Sequence, residues 1–177
     1  STDTWYHCAL VGERGTAVKL YLDGTQEGST WTVSYNFTNN DCVIDKAMDV
    51  SNYYFNGNIA EVRTTKGLAR WTSDFTPPSA AMTDPSYDYG YTVSLLHFDG
   101  TDGSTTITDS TGKSWSVVGT AQLDTAQKNF GSASLLLDGD SDYITTSDST
   151  DFTMGSGDWT FDCWIRAAST SSGNHIV

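Results

Sequence analysis

The amino-acid sequence predicts an all-β fold, an antiparallel β-sandwich of the jelly-roll kind, on three observations. Short runs of aromatic and β-branched residues alternate with clusters of Gly, Asp and Asn. The acidic residues are nineteen aspartates and three glutamates, and Asp favours tight turns whereas Glu favours helices. No stretch has a sustained helical period. Many short strands at this spacing are typical of a sandwich, in which alternate residues of each strand face one core.

Eleven runs are predicted as strands because each is bounded by turn residues. They are residues 5–11, 17–22, 30–35, 43–48, 58–64, 92–98, 105–108, 115–118, 133–137, 143–146 and 159–166. Three of the runs lead into an Asp-Gly step, at Asp23, Asp99 and Asp138. Because Asp-Gly readily closes a tight turn, we expect a hairpin or a loop at each of them.

All three prolines of the chain lie close together, at Pro77, Pro78 and Pro85, among small and polar residues. This composition predicts a boundary between two parts of the chain. Each part has fewer than 90 residues, which is small for the number of strands that it contains. The boundary therefore raises the question of how the two parts form a core.

The charge balance argues against nucleic acid and anionic membranes as partners, and the apolar pattern argues against a membrane span and a signal peptide. Nine Lys and Arg residues against 22 Asp and Glu residues give a net charge of -13, so that nucleic acid and anionic membranes are repelled. The sequence has neither an apolar run of membrane-spanning length nor the basic and apolar segments of a signal peptide. Because the first residues already read as a strand, we expect a fragment or a processed product of a longer protein.

Three cysteines, Cys8, Cys42 and Cys163, lack the paired spacing of a zinc site or a disulfide framework. Cys8 and Cys163 lie inside apolar strand runs, where a reduced thiol packs as a small hydrophobic side chain. A bridge between Cys8 and Cys163 is the alternative to two free thiols.

Six segments together resemble the laminin-G-like branch of the concanavalin-A-like lectin and glucanase superfamily. They are WYHCALV at 5–11, KLYLDGTQEG at 19–28, FNGNIAEVRTTKGLARWTSDFTPP at 55–78, LLHFDGTDGSTTITDSTG at 95–112, FGSASLLLDGDSDYI at 130–144 and DWTFDCWIR at 158–166. In that family the last three kinds of segment open a domain and the first three close it. The resemblance therefore implies that residues 1–82 are the closing half of one sandwich, 83–91 a linker, and 92–177 the opening half of a second, permuted or exchanged sandwich.

Three arrangements fit this inverted order. The chain is a window cut from a tandem array, or a circularly permuted single sandwich, since domain termini often lie close together. In the third arrangement, the half of one subunit completes the half of its neighbour, which builds an open filament. We expect the tandem window, because one or two strands of the family pattern have no counterpart in the sequence.

The sequence predicts a protein that is not an enzyme. Glucanases of the superfamily place two carboxylates about 5 Å apart on one strand for retaining hydrolysis. The glutamates Glu13, Glu27 and Glu61 are far apart in sequence, so that no segment carries such a pair. The histidines His7, His97 and His175 are also scattered, and those in apolar strands are expected to be structural. A glucan hydrolase is the less favoured alternative.

Two groups of aspartates are candidate calcium ligands, because hard cations bind carboxylate oxygens. Asp138, Asp140 and Asp142 stand at alternate positions, although the loop lacks the Gly and Glu that an EF-hand requires. For Asp99 and Asp109 the resemblance supplies the suggestion, because relatives with a structural calcium place ligands just after the first strand. Unliganded turn carboxylates are the alternative for both groups.

Aromatic side chains beside turns are the candidate sugar-binding residues, because an aromatic face packs on the apolar side of a pyranose ring. They are Trp31, Tyr53, Tyr54, Trp71 and Trp115. The tryptophans inside strand runs, Trp5, Trp159 and Trp164, are expected in the core instead.

The resemblance implies a non-catalytic carbohydrate-binding or adhesive module at a cell surface, outside the cell or on a virion, within a tandem-repeat surface or tail-fibre protein. Its partners would be glycans or surface polysaccharide, and neighbouring repeats or other copies of the chain. The alternative is a structural subunit of a filament, coat or appendage that binds no sugar. The family resemblance alone does not separate these functions.

Overall fold

Two antiparallel sheets form a β-sandwich in the computed structural model of the chain, which describes residues 1–45, 54–82 and 90–168. The strands are β1 (Tyr6–Glu13), β2 (Ala17–Leu22), β3 (Thr25–Trp31), β4 (Cys42–Ile44), β5 (Asn56–Lys66), β6 (Thr92–Leu96), β7 (Trp115–Val118), β8 (Gln122–Asp124), β9 (Ser134–Asp138), β10 (Tyr143–Thr146) and β11 (Trp159–Ala167). One short 3-10 turn, Thr150–Phe152, precedes β11. The predicted all-β sandwich is confirmed.

Strands from both sides of the proline-rich segment share the larger sheet. Its order is β3-β2-β1-β11-β5-β9-β8. Strand β9 pairs with the first half of β5, and β6 pairs with the second half. Strand β11 lies between β1 and β5 and pairs with both of them. The smaller sheet has the order β4-β10-β7, so that it too combines strands from before and after the prolines. The division at 82 and 91 stays a prediction, and residues 83–89 lie outside the described residues.

The main core lies between the two sheets. Buried side chains of the larger sheet, such as Ile59, Leu135 and Cys163, pack in one cluster with Ile44 and Ile144 of the smaller sheet. The alternation along the strands explains this, because every second residue of a strand faces the opposite sheet. The core therefore takes apolar residues from nearly every strand, including the short ones.

A second apolar layer covers the outer face of the larger sheet. The chain after β5 folds back so that Trp71 and Phe75 pack on Tyr21, Ala9 and Val11. The Phe75 amide donates to the Gly24 carbonyl over 2.9 Å, which anchors this segment at the turn between β2 and β3. The tryptophan-containing segment at 68–78 is thus a covering layer.

The predicted strand bounds agree for β2, β7 and β10 and differ elsewhere. The run at 30–35 is wrong, since β3 begins at Thr25, directly after a two-residue turn. The run at 105–108 contributes only a single bridge from Thr108 to Ser114. Strand β8 was missed because three residues are too short for a periodic signal. Residues 46–48 of the run at 43–48 lie outside the described residues.

In the ranges that the structure describes, no helix has the length and apolar character needed to cross a membrane.

Candidate functional site

An apolar cleft of about 320 Å³ opens between the two sheets beside β4. Its floor is formed by Leu10, Phe161 and Trp159 of the larger sheet, and its walls by Phe152 and Met154 from the chain that leads into β11. The segment before and within β4 completes the lining with Phe37, Asn39, Asp41, Cys42 and Val43. The lining is thus mainly apolar, with Asn39 and Asp41 as its amide and acidic residues.

Phe37 is held in place by both its backbone and its ring. Its amide and carbonyl exchange hydrogen bonds with those of Gly155, at 3.0 and 2.8 Å. The ring stacks on Tyr35 with centroids 5.3 Å apart and meets Trp159 edge-on at 5.7 Å. Even so, 46% of Phe37 is exposed. An aromatic ring that is fixed and still accessible can serve as a platform for a ligand.

Trp159 forms the rigid base of this aromatic group. Its indole lies against Gly12 of β1, where a Cβ atom would overlap the ring, so the close approach requires glycine. Tyr35 meets Trp159 edge-on at 6.1 Å, and the Tyr35 hydroxyl donates to the Gly157 carbonyl over 3.1 Å. Only 7% of Trp159 is exposed, which confirms the expectation that this residue belongs to the core. The same expectation is wrong for Trp5 and Trp164, which are half-buried and belong to no core cluster of the described residues.

The sequence-derived sugar candidates are spread over the molecule. Trp31 is 51% exposed at the end of β3, but it does not line the cleft. Trp71 stacks on Phe75 with centroids 4.0 Å apart, so that one of its faces is already covered. Tyr54 is half-buried, and Tyr53 lies outside the described residues.

Trp115, which the sequence indicated as a candidate sugar-binding residue, is buried. Only 9% of the residue is accessible, and its ring packs in the main core. Its Nε1–H donates to Asp109 Oδ2 over 3.0 Å. A tryptophan that directly follows a turn can thus face inward when its indole finds a buried partner, which here is Asp109.

Sequence reasoning missed Phe37, the most exposed aromatic ring of the cleft. The residue stands in the polar run Asn36 to Asp41, which reads as a loop with no strand pattern. The available signal was a single aromatic residue among Asn and Thr side chains, spaced by one residue from Tyr35. The bridge to Gly155, which is distant in sequence, gives that residue its place.

Asp109 is a structural carboxylate buried beside β6. It accepts hydrogen bonds from the Ser94 hydroxyl at 2.6 Å, the Leu95 amide at 3.3 Å, the Thr111 amide and hydroxyl at 2.7 and 2.6 Å, and the Trp115 indole. Burial acts to raise its pKa, but these hydrogen bonds outweigh burial and hold the pKa below its ordinary value. Its oxygens are thus already engaged by protein donors.

Asp99, the expected partner of Asp109, lies at another place. It accepts hydrogen bonds from the amide and hydroxyl of Ser132, at 2.5 and 2.9 Å. The structure therefore connects Asp99 to the loop before β9, whereas Asp109 is connected to β6 and β7.

Asp138 and Asp142 meet around Thr120. The Thr120 hydroxyl lies 3.1 Å from an oxygen of Asp138 and 3.2 Å from one of Asp142, and the Asp138 amide donates to Asp142 over 3.1 Å. Asp140 is exposed, with its amide donating to Asp138 over 2.7 Å.

A further aspartate, Asp45, which the sequence did not single out, lies close enough to Asp138 and Asp142 for their charges to affect its pKa. Its carboxyl is almost fully buried, and burial followed by the negative charges of Asp142 and Asp138 raises its pKa to about 8. Across the three described ranges, no group of three His, Cys, Asp or Glu side chains is arranged to hold a metal ion. Calcium binding stays a prediction.

The three glutamates occupy separate strands and have separate partners. Glu13 forms an ion pair with Lys19 at 2.6 Å, and Glu27 lies on β3 opposite Leu20. Glu61 is fully buried on β5, where it accepts a hydrogen bond from the Met82 amide over 2.7 Å and lies 3.0 Å from His97 Nδ1. The paired carboxylates of retaining hydrolysis are therefore not formed by any two of them.

Comparison with known proteins gives one family match. Residues 1–68 match the Laminin_G_3 family, described as the concanavalin A-like lectin/glucanases superfamily. Neither the curated proteins nor the solved structures contain a match. The matched stretch includes β1 to β5, and thus Leu10, Phe37 and Asp41 of the cleft. Over residues 1–68, the chain is thus similar to the concanavalin A-like lectin/glucanases superfamily.

Proposed function

We propose that this chain is a non-catalytic, carbohydrate-binding or adhesive module, and that the cleft at Phe37 holds the ligand. The observation that carries the proposal is the fixed and half-exposed ring of Phe37, in a cleft that Asn39 and Asp41 also line. The superfamily match supports a lectin-like or adhesive class for the matched residues. A surface or virion location within a tandem-repeat protein belongs to the same proposal.

The chemistry of the cleft fits one sugar residue or a short glycan. The apolar face of a pyranose ring packs on an aromatic ring, while its hydroxyl groups need amide or carboxylate partners. Phe37 supplies the ring, and Asn39 and Asp41 supply donors and acceptors in the lining of the same cleft. Shallow contact with a single ring is enough for the modest affinity of one binding module.

The charge of the protein narrows the ligand class. With a net charge of -13 and Asp41 in the cleft wall, sialylated, sulfated and uronic-acid glycans are repelled. Neutral hexoses meet no such penalty, and an amino sugar would gain from the carboxylate. We therefore expect neutral or amino-sugar glycans among the ligands.

A glycan array with matched variants tests this proposal. Phe37→Ala removes the platform and is expected to weaken binding about tenfold, since an aromatic contact is worth roughly 1–1.5 kcal/mol. Tyr91→Ala is the control, because Tyr91 is 43% exposed but does not line the cleft. Trp31→Ala examines the exposed candidate that the sequence indicated.

The outcomes separate the candidate residues. Binding that survives Phe37→Ala but is lost with Trp31→Ala would move the site to the end of β3. An array without any ligand would contradict the carbohydrate proposal altogether. Release of reducing ends from a β-glucan would contradict the non-catalytic assignment, and we expect none.

A structural subunit is the second candidate, favoured by the unequal size of the sheets. The smaller sheet has three strands against eight in the larger one. In the part of the chain that the structure describes, β4 pairs only with β10, so that one edge of β4 faces no strand. Such an edge can accept a strand from another chain, which is how filaments form by complementation.

A further inference from the structure

We propose that Cys8 and Cys163 form an intrachain disulfide that joins β1 to β11 when the chain folds in the presence of a disulfide oxidant. The inference does not depend on sugar binding. It identifies a covalent modification site in the core and fixes which two strands of the larger sheet are joined.

The register of the larger sheet places the two cysteines directly opposite each other. In the antiparallel pairing of β1 with β11, the Cα partner of Cys8 is Cys163. Opposed residues of antiparallel strands have Cβ atoms about 4.5–5.5 Å apart, and a disulfide needs roughly 3.5–4.5 Å. A small adjustment of the two strands therefore suffices, with no change of register.

Both side chains also point to the same side of the sheet. Cys8 and Cys163 belong to the main core cluster between the sheets, and they are 8% and 1% exposed. The thiols are close enough to influence each other: burial and then the charge on Cys8 raise the pKa of Cys163 well above its ordinary value. Both are free thiols in this structure.

Cys42 has no such partner. It lies on β4 in the smaller sheet, where its Cα partner is Thr146. Burial and the neighbouring Asp41 raise the pKa of Cys42 to about 12. The chain thus contains one opposed pair of cysteines and a third cysteine on the other sheet.

The reaction is a pair of thiol–disulfide exchanges with oxidised glutathione as the oxidant. The thiolate of one cysteine attacks oxidised glutathione and displaces one glutathione thiolate, leaving a mixed disulfide. The thiolate of the second cysteine then attacks the protein sulfur of that mixed disulfide, closes the Cys8–Cys163 bond and releases the second glutathione. The two thiol protons pass to the two glutathione thiolates, so that the protein is oxidised and glutathione is reduced.

The bond is expected to form during folding and not in the finished sandwich. Burial, with a smaller contribution from Asp162, raises the pKa of Cys8 to about 11, and the attacking species is the thiolate. In the folded core both sulfurs are also shielded from glutathione. Oxidation therefore precedes the packing of the smaller sheet over β1 and β11.

The bridge would have a large effect on the unfolded chain. Cys8 and Cys163 are 155 positions apart, on strands from opposite sides of the prolines. A crosslink over so long a loop removes many conformations from the unfolded state. The bridged protein is therefore expected to unfold at a higher urea concentration than the reduced protein.

The test is refolding of the full chain in a buffer of reduced and oxidised glutathione. Free thiols are then counted in denaturant, and peptide mapping by mass spectrometry locates the bond. We expect one remaining thiol, that of Cys42, a linked pair of peptides containing Cys8 and Cys163, and a monomer on a non-reducing gel. In Cys42→Ser, the thiol count is expected to fall to zero.

Cys163→Ser is the matched control, because it leaves Cys8 and Cys42 in the same core but on different sheets. It is expected to keep both thiols under identical conditions. Three free thiols in the refolded wild-type chain, a Cys8–Cys42 bond, or a Cys8–Cys163 bond found only in dimers and polymers would each overturn the proposal. Mapping of the wild-type chain decides the question even if a serine variant does not fold.

Discussion

Two buried aspartates, Asp45 and Asp109, show how the surroundings of a carboxyl group decide its charge. Asp109 accepts five hydrogen bonds and stays ionised, with its pKa lowered. Asp45 accepts one hydrogen bond, from the Phe55 amide, while its second oxygen is buried without a partner among the described residues. Burial therefore raises the pKa of Asp45 to about 8.

The raised pKa of Asp45 predicts a loss of stability as the pH rises. The unfolded carboxyl releases its proton near its ordinary pKa of 3.8, whereas the folded carboxyl holds it up to about pH 8. The stabilising contribution of the proton is thus complete below pH 4 and is lost between pH 4 and 8, at about 1.4 kcal/mol for each unit of pKa shift.

Asp45→Asn is expected to flatten this pH dependence. The amide imitates the protonated acid, since it carries no charge and can accept from the Phe55 amide. Urea unfolding at a series of pH values measures the effect, and Asp148→Asn, at an exposed position, is the control. An unchanged pH profile in Asp45→Asn would show that this carboxyl is ionised in the folded protein.

At the residue scale, the sequence predicted the roles that follow from local pattern. Trp159 is in the core, as a tryptophan inside an apolar strand run should be. The direction of Trp115 and the exposure of Phe37 depend on contacts with Asp109 and Gly155, which are set by the tertiary fold. Asp45 gave no signal either, because Asp138 and Asp142, which influence it, come from the end of β9 and the turn after it, far away in sequence.

At the scale of elements, the hairpin of β2 and β3 depends on a two-residue turn. Asp23 and Gly24 both have positive φ, 47° and 78°, and they join the paired residues Leu22 and Thr25. This is the geometry for which Asp-Gly is favoured in tight hairpins. The Asp-Gly signal was correct here, but the strand after it was placed too late, because Thr25–Trp31 is polar and lacks an apolar pattern.

Gly24→Ala is expected to destabilise the protein by about 2–4 kcal/mol. A Cβ at this position would overlap the carbonyl oxygen of Phe75, so that the covering segment at 68–78 must move off the sheet. The added cost of a positive φ with a side chain is about 1–2 kcal/mol. Thermal or urea unfolding measures the change.

Gly28→Ala is the matched control for this substitution. Gly28 lies in β3 with a φ of 67°, and a Cβ there would have no neighbour within 4 Å. Its expected cost is the conformational term alone, about 1–2 kcal/mol for a side chain at positive φ. Equal losses in the two variants would show that the contact between Gly24 and Phe75 does not hold the covering segment in place.

At the scale of the whole molecule, the order of the motifs along the chain can be compared with the order of the strands in the larger sheet. The resemblance noted in the sequence predicts that segments which close a laminin-G-like domain come first in this chain and that segments which open one come last. In the structure, β11 from the last part lies between β1 and β5 from the first part. The sequence predicted the sandwich, but strand patterns do not reveal which runs become neighbours, since that depends on long-range pairing. The proline boundary stays a prediction.

The molar mass of the purified chain, measured by light scattering over a range of concentrations, tests most directly whether the two parts complete one sandwich within one chain. The intrachain pairing of β1 and β5 with β11 predicts a monomer of 19.2 kDa at every concentration. A mass that rises with concentration toward multiples of this value would contradict it. The two parts would then pair between chains, and the filament-forming function would replace the adhesive module.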